Sequence, residues 1–142
     1  MSRISEKLRE KIRLAAKDLC GYCQSPQHLI PIPFEMEHIL PTAEGGTDEE
    51  NLWLACRVCN SFKHAKTHAI DPKSRRKTRL FNPRKQVWSE HFEFSEGNTE
   101  IIGKTACGRA TVIALKLNNT RSVNMRKLWV SVSWFPPKIE NN

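Results

Sequence analysis

No apolar run in this chain approaches the roughly 18 residues that a membrane-spanning helix needs, and the first residues lack the apolar core of a secretory signal. A soluble, intracellular protein of the cytoplasm, with no membrane partner, is therefore expected. Internal repeats and low-complexity tracts are absent as well. Proline and glycine are not abundant (8 and 6 in 142 residues), and 39% of the chain is hydrophobic, so wholesale disorder is not expected. A chain of this length suits one domain, or a small core with an appended module. Acidic residues are the scarce class: 15 Asp and Glu stand against 23 Lys and Arg, for a net charge of +8. Such an excess favours a polyanionic partner, because Lys and Arg neutralise phosphates and release condensed counterions. A merely solvated basic surface is the alternative.

Of five cysteines, four form two Cys-x-x-Cys pairs, Cys20/Cys23 and Cys56/Cys59. Without a secretory signal, a disulfide framework is the weaker interpretation. Two such knuckles fit tetrahedral thiolate ligation of structural Zn²⁺, since the two-residue gap lets both sulfurs converge on one ion. Redox pairs and core cysteines are the competing readings. Cys107 stands alone and reads as a small apolar residue.

Ile4, Leu8, Ile12, Ala15, Ala16 and Leu19 recur at helical spacing, which predicts an amphipathic helix over 4–19 that docks on a core or pairs with a second copy. Gly21 is expected to give the first knuckle backbone freedom. After a proline-bearing loop, Phe34, Met36 and His38 alternate with Glu35, Glu37 and Ile39, as in a short strand. Residues 43–50 read as a polar loop, and 52–55 as an apolar strand. A helix is predicted from about Val58 to Thr67, stopped by Asp71-Pro72. The segment 71–85 reads as a basic connector. Beyond it come a hairpin around Glu96-Gly97-Asn98, a helix capped by Thr105 and running to Leu117, an undecided helix or strand over 123–132, and a frayed end at Pro136-Pro137. The expected organisation is an N-terminal helix (1–19), a core (20–70), and the connector with a C-terminal extension (71–142).

The stretch from Glu37 to Lys63 carries the chemistry. Hydrolysing a phosphodiester requires an activated water, charge stabilisation at the phosphate, and help for the departing oxygen. A neutral imidazole, His38, can take the proton from water. A hard divalent cation, Mg²⁺ or Mn²⁺, can serve the other needs from oxygen ligands, for which Glu37 and the Asn60 carbonyl are the candidates. Asn51 would orient the His38 ring or tie down the loop. On a regular strand Glu37 and His38 point to opposite faces, so both serve one site only at a strand end or bend. Lys63 and Lys66, with Arg75, Arg76, Lys77, Arg79 and Arg84 of the connector, are the candidate phosphate contacts. His64 shares a helix face with Asn60 and reads as a surface histidine, or as a ligand or base in another register.

In this order, the features of residues 20–67 resemble the HNH endonucleases with a ββα-metal core, in the variant whose last metal position is Asn. The resemblance implies an α+β fold, a structural zinc site beside the core, and metal-dependent cleavage of DNA, double-stranded for preference, leaving 5′-phosphate and 3′-hydroxyl ends. The first acidic ligand in that family is more often Asp, so Glu37 departs from it by one methylene. The segments Leu80–Arg84, Trp88–Phe92 and Gly108–Val112 resemble the C-terminal extension of a bacterial subgroup, whose Trp and Phe would pack the extension or stack on unpaired bases. A non-catalytic zinc-containing nucleic-acid-binding module and an RNA-directed nuclease are the alternatives. A chain this small would read little sequence unless it formed a homodimer.

Overall fold

The computed structural model describes residues 4–138. Ser5 opens α1 (Glu6–Ala15), its hydroxyl accepting from the Leu8 N–H, and Ile12 is its buried residue. The helix stops earlier than its apolar spacing predicts. Lys17 and Asp18 take positive φ (57° and 55°), which turns the chain so that Leu19 bridges to Pro26. The first knuckle follows directly. Gly21 is there for space and not for freedom: a Cβ would lie 2.4 Å from the Trp53 ring.

Two short strands, β1 (Glu35–His38) and β2 (Leu52–Ala55), pair antiparallel, with Glu37 opposite Trp53 and His38 opposite Leu52. The polar loop between them is more ordered than expected, holding a single turn of helix, α2 (Thr42–Gly45), and a 3₁₀ turn at Glu49–Asn51. Cys56 caps α3 (Arg57–Lys63), its sulfur accepting from the Cys59 N–H. This helix is also shorter than its reading of 58–67, because His64 turns to φ 50° and ends it.

The basic connector is a hairpin. β3 (His68–Ile70) and β4 (Lys77–Arg79) pair antiparallel, and Asp71 organises the turn by accepting from the Lys73 and Ser74 N–H groups. Downstream lie α4 (Trp88–His91), then β5 (Phe92–Phe94) and β6 (Ile101–Gly103), which pair as the expected hairpin. Thr105 caps α5 (Ala106–Ala114) as expected, accepting from the Gly108 N–H. The undecided segment is helical: α6 (Thr120–Ser131), capped by Asn119. The end is not frayed up to Phe135, which is buried against Phe94 and Trp129; residues 139–142 lie outside the described ones.

The result is an α+β fold of short helices and three two-stranded antiparallel sheets. One buried cluster runs from Ile12 of α1 through Tyr22, Leu52 and Leu54 to Phe81, Phe92, Ile101 and Leu115. The extension thus shares the core of the 20–66 segment. Its aromatics pack it: Trp88 stacks on Phe92 at 5.2 Å between ring centres and gives its Nε1–H to the Tyr22 carbonyl. Fully burying a side chain such as Phe92 stabilises by about 1.5–3 kcal/mol, so this seam is not a loose attachment. No helix among the described residues is long and apolar enough to cross a membrane.

Candidate nuclease site

The four knuckle cysteines are buried, and their sulfurs all lie within 4.8 Å of one another. Cys23 and Cys56 approach to 3.8 Å, joining the loop after α1 to the start of α3. Hydrogen bonds, foremost with Cys20, hold the Cys23 thiol low and push the Cys56 and Cys59 thiols up. Four sulfurs this close cannot all ionise against one another, whereas a tetrahedral zinc ion accepts all four as thiolates. The cluster therefore suits structural zinc, with every position filled by protein.

Beside it, Met36 and His38 face one side of β1 and Glu35 and Glu37 the other, as alternation requires. At the strand end His38 lines an open pocket of 250 Å³ with Pro41, Thr42, Asn60, His64 and Ala65. Its Nε2 is buried and has no hydrogen-bond partner among the described residues. Burial, with the Lys63 charge assisting, lowers the His38 pKa, so the ring is neutral near pH 7 and able to accept a proton. Asn60 gives its Nδ2–H to Glu35 Oε1 at 2.9 Å, which orients the amide and leaves its carbonyl oxygen without a protein donor.

Glu37 does not line this pocket. It is 1% exposed, accepts from the Tyr22 hydroxyl at 2.7 Å through Oε2, and meets the Lys63 ammonium at 2.5 Å through Oε1. Burial raises its carboxyl above the ordinary range, opposed by Lys63 and Tyr22. Burial also pushes the Tyr22 phenol up, with the Glu37 charge assisting, so the phenol stays protonated and donates. Lys63 in turn donates to the carbonyls of His38 (3.1 Å) and Ile39 (3.0 Å). The expectation of Lys63 as a phosphate contact is corrected here: its ammonium is buried in an oxygen shell and does not face solvent.

Asn51 is similarly reassigned among its two expected roles. It accepts from the Leu40 N–H and donates to the carbonyls of Leu40 and Gly46, so it ties the loop leaving His38 and does not touch the ring. Gly45 lacks a Cβ because that atom would lie 2.5 Å from the Asn51 amide. Arg84 is also not a free cation: its Nε–H goes to the Leu52 carbonyl and its guanidinium lies 5.1 Å over Trp53. By contrast Arg75, Arg76, Lys77 and Arg79 are exposed on the β3–β4 hairpin, and Lys66 is exposed beyond α3 with its ammonium on the Phe62 carbonyl.

Two participants escaped the sequence reading. Tyr22 had no signal beyond its place inside a knuckle. His64 had one, its four-residue spacing from Asn60, and it does line the His38 pocket.

A two-stranded antiparallel sheet crossed by one helix, with a four-cysteine cluster at the helix start and a histidine at the strand end, defines an HNH-type core. Residues 20–66 match the family model described as HNH endonuclease, and that segment is an HNH domain of the zinc-knuckle kind, nuclease-type and directed at nucleic acid. No curated protein and no solved structure matches the chain.

Proposed function

We propose that the chain is a metal-dependent endonuclease that hydrolyses DNA phosphodiester bonds. The observation that carries this reading is the buried, unpartnered His38 Nε2 at a pocket shared with the Asn60 amide. In that role His38 accepts the proton of the attacking water, and its lowered pKa keeps it available at neutral pH.

The donor set fits a hard divalent cation, Mg²⁺ or Mn²⁺. Glu37 and the Asn60 carbonyl are oxygen donors of the right class, and a cation already stands against Glu37 in the form of the Lys63 ammonium. Such an ion supplies charge stabilisation at the phosphate and at the departing oxygen. Asn51 holds the loop that fixes the end of β1, and with it the place of His38. The exposed cations of the β3–β4 hairpin supply phosphate contacts along the backbone.

The full engagement of Glu37 favours a second reading, a non-catalytic zinc-containing module that binds nucleic acid. A plasmid-nicking assay separates the two. With Mg²⁺ or Mn²⁺ the parent protein is expected to nick or linearise DNA, and His38→Ala to lower the rate by about 10²–10⁴-fold with an unchanged melting temperature. A His38→Ala protein that cuts as fast as the parent removes the histidine from its role. A parent that binds DNA and never cuts it leaves the second reading.

A further inference from the structure

Lys63 is the most unusual charge in the molecule. It is 1% exposed, and its ammonium is shelled by oxygen alone: Glu37 Oε1, His38 O and Ile39 O. An ammonium has three N–H donors, and these three acceptors use all of them. A carboxylate plus carbonyl oxygens is also the shell a hard divalent cation takes. The same carboxylate oxygen cannot serve both cations at full strength.

We propose that Lys63 is a built-in competitor of the divalent ion: its ammonium neutralises Glu37 in the ion-free protein, and the ion is taken up only as that ammonium withdraws. This rests on the reading of Glu37 as a metal ligand. Three observations support it. Glu37 has no other cation, so without Lys63 its charge would be buried unpaired, a state proteins avoid. Lys63 ends α3, and the reversal at His64 leaves its flexible four-carbon stem at a helix terminus and not mid-helix. Lys63 also lines a second cavity of 190 Å³ beyond Ile39, shared with Glu50, Asn51 and Thr67. That cavity gives the stem room to withdraw, and Glu50 supplies a carboxylate on the far side. Asn60, one turn back on α3, already faces the His38 pocket and needs no such rearrangement.

The consequence is an ion affinity set below what the ligands alone would give, because part of the binding free energy goes into displacing the ammonium. The test is Mn²⁺ binding, read from the paramagnetic resonance signal of free Mn²⁺ in titrations of the zinc-loaded full chain. Lys63→Met, which keeps length and removes charge, is expected to bind Mn²⁺ about tenfold tighter than the parent. Glu37→Gln is expected to weaken binding by at least about tenfold. Tighter or lost binding in this pattern supports the competition. If Glu37→Gln loses Mn²⁺ while Lys63→Met binds no tighter than the parent, the competition is wrong and the ligand assignment stands. If Glu37→Gln binds like the parent, or the parent binds no Mn²⁺, the ligand assignment fails and takes the competition with it.

Because Lys63→Met leaves Glu37 without a partner and can compromise folding, a second measurement uses the parent protein alone. Reductive methylation followed by peptide mass mapping should find Lys63 protected without Mn²⁺ and modified at saturating Mn²⁺. Protection that persists at saturation overturns the proposal.

Discussion

At the scale of single residues, Asn51 shows how a motif position acts without touching the reacting groups. Its amide satisfies one N–H and two carbonyls of the loop between His38 and β2, at 2.8, 3.0 and 2.9 Å. It is itself buried, so the loop closes on it and water does not replace it readily. Asn51→Ala is expected to destabilise by about 1–3 kcal/mol, the cost of leaving buried backbone groups unpaired. Asn51→Asp keeps the acceptor but turns a carboxylate toward two carbonyls, and is expected to be no better. Urea denaturation measures both. A loss well under 0.5 kcal/mol for Asn51→Ala, on the scale of a surface change, would mean that the loop does not depend on this amide.

At the scale of elements, the β3–β4 hairpin is braced from outside the HNH segment. Arg109 of α5 makes two bonds to the Asp71 carboxylate, at 2.9 and 3.1 Å, and Asp71 holds the hairpin turn. Arg109, foremost, holds the Asp71 carboxyl well below its usual range. A folded pKa below the unfolded one gives stability that is fully present above the unfolded value, near 3.9, and is lost as pH falls below it. Amide exchange of the 68–79 backbone should therefore be insensitive to pH from about 5 to 8 once corrected for intrinsic rates, and should accelerate below about pH 4. Arg109→Ala should accelerate it at every pH, and Arg109→Lys should fall between, since a lysine keeps the charge and loses the two-pronged geometry. Exchange unaffected by Arg109→Ala would show that the hairpin stands unaided. This element was also the one least legible in the sequence. Strands were readable where one face is buried, as in Met36, Leu52 and Leu54, or Phe92 and Ile101. His68, Ile70, Lys77 and Arg79 are all exposed, so no alternation marks their strands. The helix α6 was obscured for the opposite reason: Leu128 is 70% exposed while Arg126 is fully buried, donating to the carbonyls of Thr99 and Leu117. The cysteine cluster and the opposed faces of Glu37 and His38 were legible, because spacing and alternation fix them. The partner of Glu37 was not, since only the crossing of α3 over β1 brings Lys63 to it.

At the scale of the whole molecule, the excess of +8 is unevenly placed. Several of its cations are spent internally: Lys63 on Glu37, Arg109 on Asp71, Arg126 on backbone carbonyls, and Arg84 on Leu52 and Trp53. What remains free is concentrated on one arm, where Lys73, Arg75, Arg76, Lys77 and Arg79 are exposed and the sole carboxylate of the turn is tied to Arg109. A duplex lying along that arm would displace one condensed counterion for each phosphate neutralised, so affinity should fall linearly with salt on logarithmic axes, with a slope of about −0.9 per contact. If the arm is the main contact, Arg75→Ala and Arg76→Ala should each flatten the slope by about 1 and weaken binding evenly across DNA sequences. Arg84→Ala should leave the slope unchanged and lower stability instead, because its charge is committed within the fold. Fluorescence anisotropy across a salt series distinguishes these outcomes. A slope that changes with Arg84 and not with Arg75 or Arg76 would place the nucleic acid on the Trp53 side of the molecule, away from the hairpin.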